Sequence, residues 1–150
     1  MRLVVRRAAL AGALLLLPAS TTGCAGLLGG RSEVRREVTV DLPVSRAEAV
    51  RRTLAMMREQ GYEVAETLTS GSTPTTAPFR HGDAEAVFHA AITGGARSSR
   101  VVLTGTYRKR ELGGLVMGRQ HDVVRSDDPL ERELWAKLDN LGVAIRRVAR

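Results

Sequence analysis

The feature that most restricts the fold is a long apolar stripe near the C-terminus. Its members recur at intervals of four, four, three, four and three residues: Leu130, Leu134, Leu138, Leu141, Ile145 and Val148. This spacing follows the period of an α-helix and puts the six side chains on one side. Asp128-Pro129-Leu130-Glu131 reads as its start, with Asp as N-cap, Pro at the first helical position and Glu at the third. We therefore predict a helix with one buried face, packed closely at Gly142.

A second helix is predicted from Ser45 to Gly61. Ser45-Arg46-Ala47-Glu48 has the form of a capping box, in which the Ser hydroxyl and the Glu carboxylate satisfy opposite backbone donors. Gly61 supplies the left-handed stop. The predicted buried stripe consists of Ala47, Val50, Leu54 and Met57.

Four segments show strand character. Residues 33–43 alternate apolar and polar side chains, and 62–68 form the strand after the first helix. Residues 83–93 and 100–109 predict a hairpin around a Gly-rich turn, whereas 69–78 are expected to form a polar loop outside any sheet.

Together these elements predict an α+β fold in the order strand-helix-strand-strand-strand-helix. Because both helices carry one stripe and the strands mostly alternate, we expect two layers: a mainly antiparallel sheet with both helices on one face. Residues 111–126 fit either a short edge strand at Leu115-Val116-Met117 or a loop. An apolar loop here fits a contact site for a partner, or a cover folded over the end of the sheet.

The N-terminus has the three parts of an export signal. Arg2, Arg6 and Arg7 form a positive region, residues 8–17 form an apolar run, and a small, polar stretch leads to Cys24, the only cysteine. The apolar run is shorter than the roughly 20 residues that a membrane-spanning helix needs. Its all-round hydrophobicity disfavours an N-terminal core helix.

The run Thr21-Thr22-Gly23-Cys24 resembles the lipobox of bacterial lipoproteins, with Thr21 where leucine is usual. The resemblance implies a signal peptide over 1–23, a lipidated tether over 24–33 and a single domain over 34–150. It further implies acylation (palmitate) on Cys24 and, because Ala25 is not aspartate, an outer-membrane location facing the periplasm in a diderm cell. The alternative is ordinary secretion with cleavage after Ala25. The element order is also similar, at the level of fold alone, to accessory domains of the BamC type, which carries no activity with it.

Charge and aromatic content disfavour a nucleic-acid partner. The formal charge is +7, but three arginines and no acid precede Cys24, so a cleaved chain carries 20 basic and 16 acidic residues. Most of the basic residues are scattered among acids along the sequence instead of clustering in one region. The chain has only five aromatic residues for base stacking.

Residues with possible chemistry are few. His81, His89 and His121 lie in three different segments without ligand spacing, so a metal site there would be dispersed. No Gly-x-Ser-x-Gly occurs, and the glycines at 113 and 118 are not followed by the Lys-Ser/Thr of a phosphate loop. The basic run at 108–110 fits a solvated strand end or a contact with anionic head groups.

Two classes of function remain. The first is a non-enzymatic binding or assembly-accessory module of the envelope, anchored in the membrane through Cys24 and contacting an envelope protein by its exposed sheet face or the apolar loop. The second is a small envelope enzyme or metal-binding protein with a site dispersed over His81, His89 and His121. Because no catalytic signature is recognised, we favour the first class, with no cofactor and no catalytic residue assigned.

Overall fold

A computed structural model describes residues 34–65, 73–110 and 118–148, which fall within the compact unit Ser32–Arg150. The elements in these ranges are β1 (Val38–Leu42), α1 (Arg46–Glu59), β2 (Phe79–His81), β3 (Ala84–Gly94), β4 (Ser99–Lys109), β5 (His121–Asp122) and α2 (Pro129–Arg147). Within these ranges no helix has both the length and the apolar character needed to cross a bilayer.

The strands form one antiparallel sheet in the order β1-β4-β3-β2, with β5 paired to β4 beyond the end of β1. The β3–β4 hairpin is its centre: it pairs from Ala84 with Lys109 to Gly94 with Ser99. Because side chains alternate across a strand, this register gives one apolar face and one mixed face. Both helices pack on the apolar face, which confirms the predicted two-layer α+β fold.

The helix α2 begins as predicted. The Asp128 side chain accepts from the Glu131 N–H at 3.1 Å, and Pro129 occupies the first turn. Its fully buried stripe comprises Leu134, Leu138, Leu141 and Ile145. Of the other two predicted members, Leu130 is partly buried against the core, whereas Val148 lies at the helix end and stays 47% exposed.

Gly142 allows α2 to approach the sheet closely, as predicted. A Cβ built on it would lie 2.7 Å from Val38 Cγ1, well inside van der Waals contact. Leu103 Cδ1 and Val40 Cγ2 would lie at 3.5 and 3.6 Å. The C-terminal half of α2 therefore packs on the first residues of β1 and on the centre of β4.

The two ends of α1 lie where predicted, but the Glu48 half of the capping box was wrong: the Glu48 carboxylate accepts from the side chains of Arg51 and Arg52. The Ser45 hydroxyl accepts from the Glu48 N–H at 3.3 Å. After the helix, Gly61 has φ of 82° and donates to Arg58 O at 3.0 Å, and Tyr62 N–H donates to Met57 O at 2.9 Å. These two bonds form a Schellman motif, which ends the helix at a left-handed glycine.

The predicted buried face of α1 was partly wrong: Met57 is buried as predicted, but the other three predicted residues are not fully buried. Ala47 is exposed, and Val50 and Leu54 are only partly buried. The buried residues are Ala49, Thr53, Met56 and Met57. The prediction relied on large apolar residues, but the small side chains of Ala49 and Thr53 are buried and let the helix lie close to the sheet.

The predicted strand over 62–68 is not a strand in its described part. Within residues 62–65 only Val64 forms a bridge, with Thr76, and the third element of the order is β2 instead. Ala65 N–H donates to Thr75 O at 2.9 Å. Residues 66–68 lie outside the described ranges. The segment is therefore a short edge contact.

The expectation that 69–78 stays out of the sheet was also wrong where this segment is described. Thr75 bridges to His89, next to β2 along the edge of β3. The buried Thr76 donates its N–H to Phe88 O and accepts the Phe88 N–H on its hydroxyl, both at 3.0 Å. The hydroxyl supplies an acceptor that polarity alone did not suggest, so a polar segment serves as a sheet edge.

Candidate functional site

The three histidines have different neighbours. His81 Nε2, at the end of β2, lies 2.8 Å from Glu133 Oε2 on α2. The exposed His121 ring on β5 stacks on Tyr107, with ring centroids 5.4 Å apart. In the described ranges no group of three His, Cys, Asp or Glu residues is placed to hold a metal ion.

His89 lies on the sheet face opposite the helices. Its Nδ1 lies 3.3 Å from Thr75 Oγ1 across the edge of the sheet. Partial burial lowers the pKa of His89 below its usual value, because desolvation disfavours the charged imidazolium. The ring is therefore neutral at physiological pH.

The open face of the sheet has an uncharged central strip. Its cross-strand pairs are Val87 with Thr106, His89 with Thr104 and Ala91 with Val102. Thr39 of β1 extends it, opposite Val102. We call this the open strip: Thr39, Val87, His89, Ala91, Val102, Thr104 and Thr106. β-Branched side chains favour a pleated strand, which explains why this face forms part of a sheet without being fully buried.

Charged pairs bound the open strip at both ends. At one end Arg100 Nε donates to Asp41 Oδ1 at 2.7 Å, and this pairing holds the pKa of Asp41 below its usual value. At the other end Glu85 stands opposite Arg108 and lies 3.6 Å from Arg110. The strip is therefore a surface of hydroxyl and methyl groups between two charged borders.

A shallow pocket of about 280 Å³ opens at the Glu85 end of the strip, lined in part by His89, Thr106, Arg108 and Gln120. Arg108 donates to Gln120 Oε1 at 3.3 Å. Of the basic run at 108–110, Arg108 and Arg110 thus contact side chains of the domain, and Lys109 is exposed. Among the described residues that line this pocket there is no serine, cysteine or lysine.

A partly buried polar cluster around Glu131 was not predicted from the sequence. The Tyr107 hydroxyl donates to Glu131 Oε1 at 2.8 Å, and the Ser126 hydroxyl donates to Glu131 Oε2. Burial raises the pKa of Tyr107, and the Glu131 carboxylate raises it further. The Asp128 N–H donates to Ser126 Oγ at 3.2 Å.

This cluster corrects the predicted second capping box. The Glu131 carboxylate contacts Tyr107 and Ser126, and Ser126 accepts the bond that Glu131 was expected to accept from Asp128. Glu131 Oε1 ties α2 to β4 through Tyr107, and Oε2 ties α2 to the loop before it through Ser126, so the cluster has a structural role. The alternation along 100–109 puts Tyr107 on the face that the helices cover. Its partner Glu131 lies far along the sequence, so no local signal predicted the contact.

Two residues or segments assigned from the sequence, Cys24 and Leu115-Val116-Met117, lie outside the described ranges. No known protein-family model matches the chain, and no curated protein is significantly similar to it.

Proposed function

We propose that this chain is a lipoprotein of the bacterial cell envelope, anchored by lipid on Cys24. Its folded domain acts as a non-enzymatic binding or assembly-accessory module. The sequence of residues 1–24 supports the anchor. The observation that carries the binding role is the open strip, an uncharged part of the sheet face between two charged borders.

The chemistry of the strip fits a protein partner. Threonine hydroxyl groups offer both donors and acceptors, and the methyl groups of Val87 and Ala91 offer apolar area, a mixture usual at protein interfaces. Phosphate recognition would need cations in the strip, and base stacking would need aromatic rings. Its side chains, apart from the neutral His89, carry no titratable group.

The anchor is tested by mass spectrometry of the mature N-terminus. We expect a chain that starts at Cys24 and carries two or three acyl groups, because a single chain binds membranes only marginally. Cys24→Ser should abolish both acylation and cleavage at this bond, since the thiolate is the nucleophile. A wild-type chain that starts at Gly26 without lipid would contradict the proposal.

The binding role is tested with two matched substitutions in the intact lipidated protein. Ala91→Asp puts a charge on an exposed position of the open strip, whereas Ala55→Asp puts the same charge on an exposed position of α1. After cross-linking in cells and solubilisation in detergent, the partners captured by wild type should be lost from Ala91→Asp and kept by Ala55→Asp. Equal capture by both variants would contradict a role for the strip.

The dispersed enzyme or metal site is tested by replacing His81, His89 and His121 with Asn together. Because their surroundings do not converge, we expect unchanged capture and unchanged cellular phenotype. If this variant folds, shown by its circular dichroism spectrum, and still behaves as a deletion, the histidines carry the function and the enzyme or metal class replaces our proposal.

A further inference from the structure

A second, chemically different surface lies at the start of α2. It is a groove of about 750 Å³ between the segment before β1, the loop before α2 and the first turns of α2. The Arg125 N–H donates to Arg35 O at 2.9 Å and so ties the first two segments together. We call this the arginine groove, because Arg35, Arg125 and Arg132 line it, one from each segment.

The three guanidinium groups are available to a ligand. Arg52, Arg100 and Arg110 each contact a carboxylate of the domain. In contrast, none of the three arginines of the groove lies within 4.0 Å of a carboxylate in the described part of the chain, and all three are exposed. A guanidinium presents a planar set of donors that matches the oxygens of a phosphate group.

The groove also contains negative charge. Asp127 and Asp139 line it together with the arginines, so its formal net charge is +1. Neither carboxylate lies within 4.0 Å of an arginine in the described ranges. A polyanion would be repelled by these carboxylates, whereas a ligand with one phosphate and one ammonium would satisfy both signs.

Trp135 completes the lining. It is partly buried and packs against the core, so its ring is held in place. An indole ring attracts an ammonium group to its face and covers apolar atoms next to it. The groove thus combines a phosphate-binding set, two carboxylates and an aromatic ring.

We propose that the arginine groove binds one phosphodiester that bears an ammonium, the chemistry of a phosphoethanolamine head group. The choice of a membrane lipid as its source rests on the proposed function. Arg35 follows closely after the predicted tether 24–33, and ten residues span at most about 36 Å even when extended. A lipid anchor at Cys24 would therefore hold this groove within reach of the head groups.

Trp135 provides the assay, because it is the only tryptophan of the chain. The full chain, purified in a non-ionic maltoside detergent, is titrated with glycerophosphoethanolamine while the tryptophan fluorescence is recorded. Parallel titrations use glycerophosphoglycerol, ethanolamine and inorganic phosphate. We expect a saturable change in fluorescence that is strongest with glycerophosphoethanolamine.

Variants assign the binding to the groove. Arg35→Gln, Arg125→Gln and Arg132→Gln should each weaken binding about tenfold, the size expected for one charge-assisted contact. The matched control is Arg58→Gln, an exposed arginine of α1 outside the groove, which should bind as wild type. Asp139→Asn should remove the preference for glycerophosphoethanolamine over glycerophosphoglycerol. Circular dichroism verifies that each variant is folded.

A second experiment distinguishes a membrane lipid from a soluble ligand. It uses nanodiscs that contain or lack phosphatidylethanolamine. Binding of the lipid head group at lower concentration than glycerophosphoethanolamine indicates a membrane ligand, and equal binding indicates a soluble one. The proposal is overturned if no compound changes the fluorescence, if inorganic phosphate binds as well as the ammonium-bearing ligand, or if Arg58→Gln weakens binding as much as the groove variants. The titrations with soluble compounds do not depend on acylation of Cys24, so the anchor proposal remains separately testable by mass spectrometry of the mature N-terminus.

Discussion

Gly142→Ala measures how closely α2 rests on the sheet. The added methyl group would lie 2.7 Å from Val38 Cγ1 and 3.5 Å from Leu103 Cδ1. The first distance is more than 0.5 Å shorter than an ordinary contact of roughly 3.5–4.0 Å between carbon atoms, so β1 or α2 must shift.

Two opposing terms set the magnitude. Alanine is the better helix former by about 1 kcal/mol, and this term alone would stabilise the protein. Forcing a methyl group into a well-packed contact costs typically about 1–3 kcal/mol. We therefore expect Gly142→Ala to lower the free energy of unfolding by about 0–2 kcal/mol in spite of its favourable propensity.

The assay is urea unfolding of the full chain, with Val38→Ala as the second substitution of a double-mutant cycle. Val38→Ala removes the clashing methyl groups, so Gly142→Ala in that background should stabilise the protein by about 1 kcal/mol. The sign of the Gly142→Ala effect should thus reverse between the two backgrounds. If Gly142→Ala stabilises the wild-type chain as much as the Val38→Ala chain, close packing at this position has no energetic role and the reasoning is refuted.

Other predictions concern the core and the titration of one histidine. Leu138 is fully buried in α2, so Leu138→Ala should lower the free energy of unfolding by about 2–5 kcal/mol, and an unmoved urea midpoint would contradict this placement. A chelator should leave that midpoint unchanged, because the core is apolar; unfolding on chelation would reveal a structural metal. The pKa of His89 is lowered in the fold, so the unfolded chain binds more protons below its usual pKa. The contribution of His89 to the free energy of unfolding is therefore complete above about pH 6.5 and falls as the pH drops through the lowered pKa. His89→Gln should flatten this decline in urea titrations between about pH 7.5 and 5.

The parts of the fold that sequence predicted correctly are those with strong local signals. Asp128 and Pro129 marked the start of α2, and its leucines marked the buried face. The β3–β4 hairpin followed from two alternating segments around a Gly-rich turn. In each case the physical cause lies within a few residues of the element, so periodicity and capping suffice.

The errors arose where tertiary contacts outweigh local pattern. Thr53 is fully buried although it is polar, and Ala49 although it is small, so the face of α1 could not be found from large apolar residues. Thr76 joins the sheet edge because its hydroxyl bonds to the Phe88 backbone, a contact between distant segments. The apolar alternation in 62–68 predicted a strand, but in the described part of this segment it corresponds to a single bridge, from Val64 to Thr76.

The candidate surfaces were predicted to different degrees. The sheet face left open by the helices was predicted. The sequence also indicated that the three histidines lie in different segments. The arginine groove was not, because Arg35, Arg125 and Arg132 come together only when the start of the domain pairs with the loop before α2. Scattered charges in a sequence give no indication of which three share one groove.

The placement of β1 has a consequence for the order of folding. β1 is synthesised early, but its pairing partner β4 begins only at Ser99. The hairpin of β3 and β4 needs closure of a short turn, whereas docking β1 closes a long stretch of chain and costs more entropy. We therefore expect the hairpin to nucleate folding and β1 to dock late, as φ-value analysis of Val40→Ala and Ala90→Gly would measure. Until then the backbone groups and apolar side chains of β1 stay uncovered, which exposes this strand to aggregation in the nascent chain.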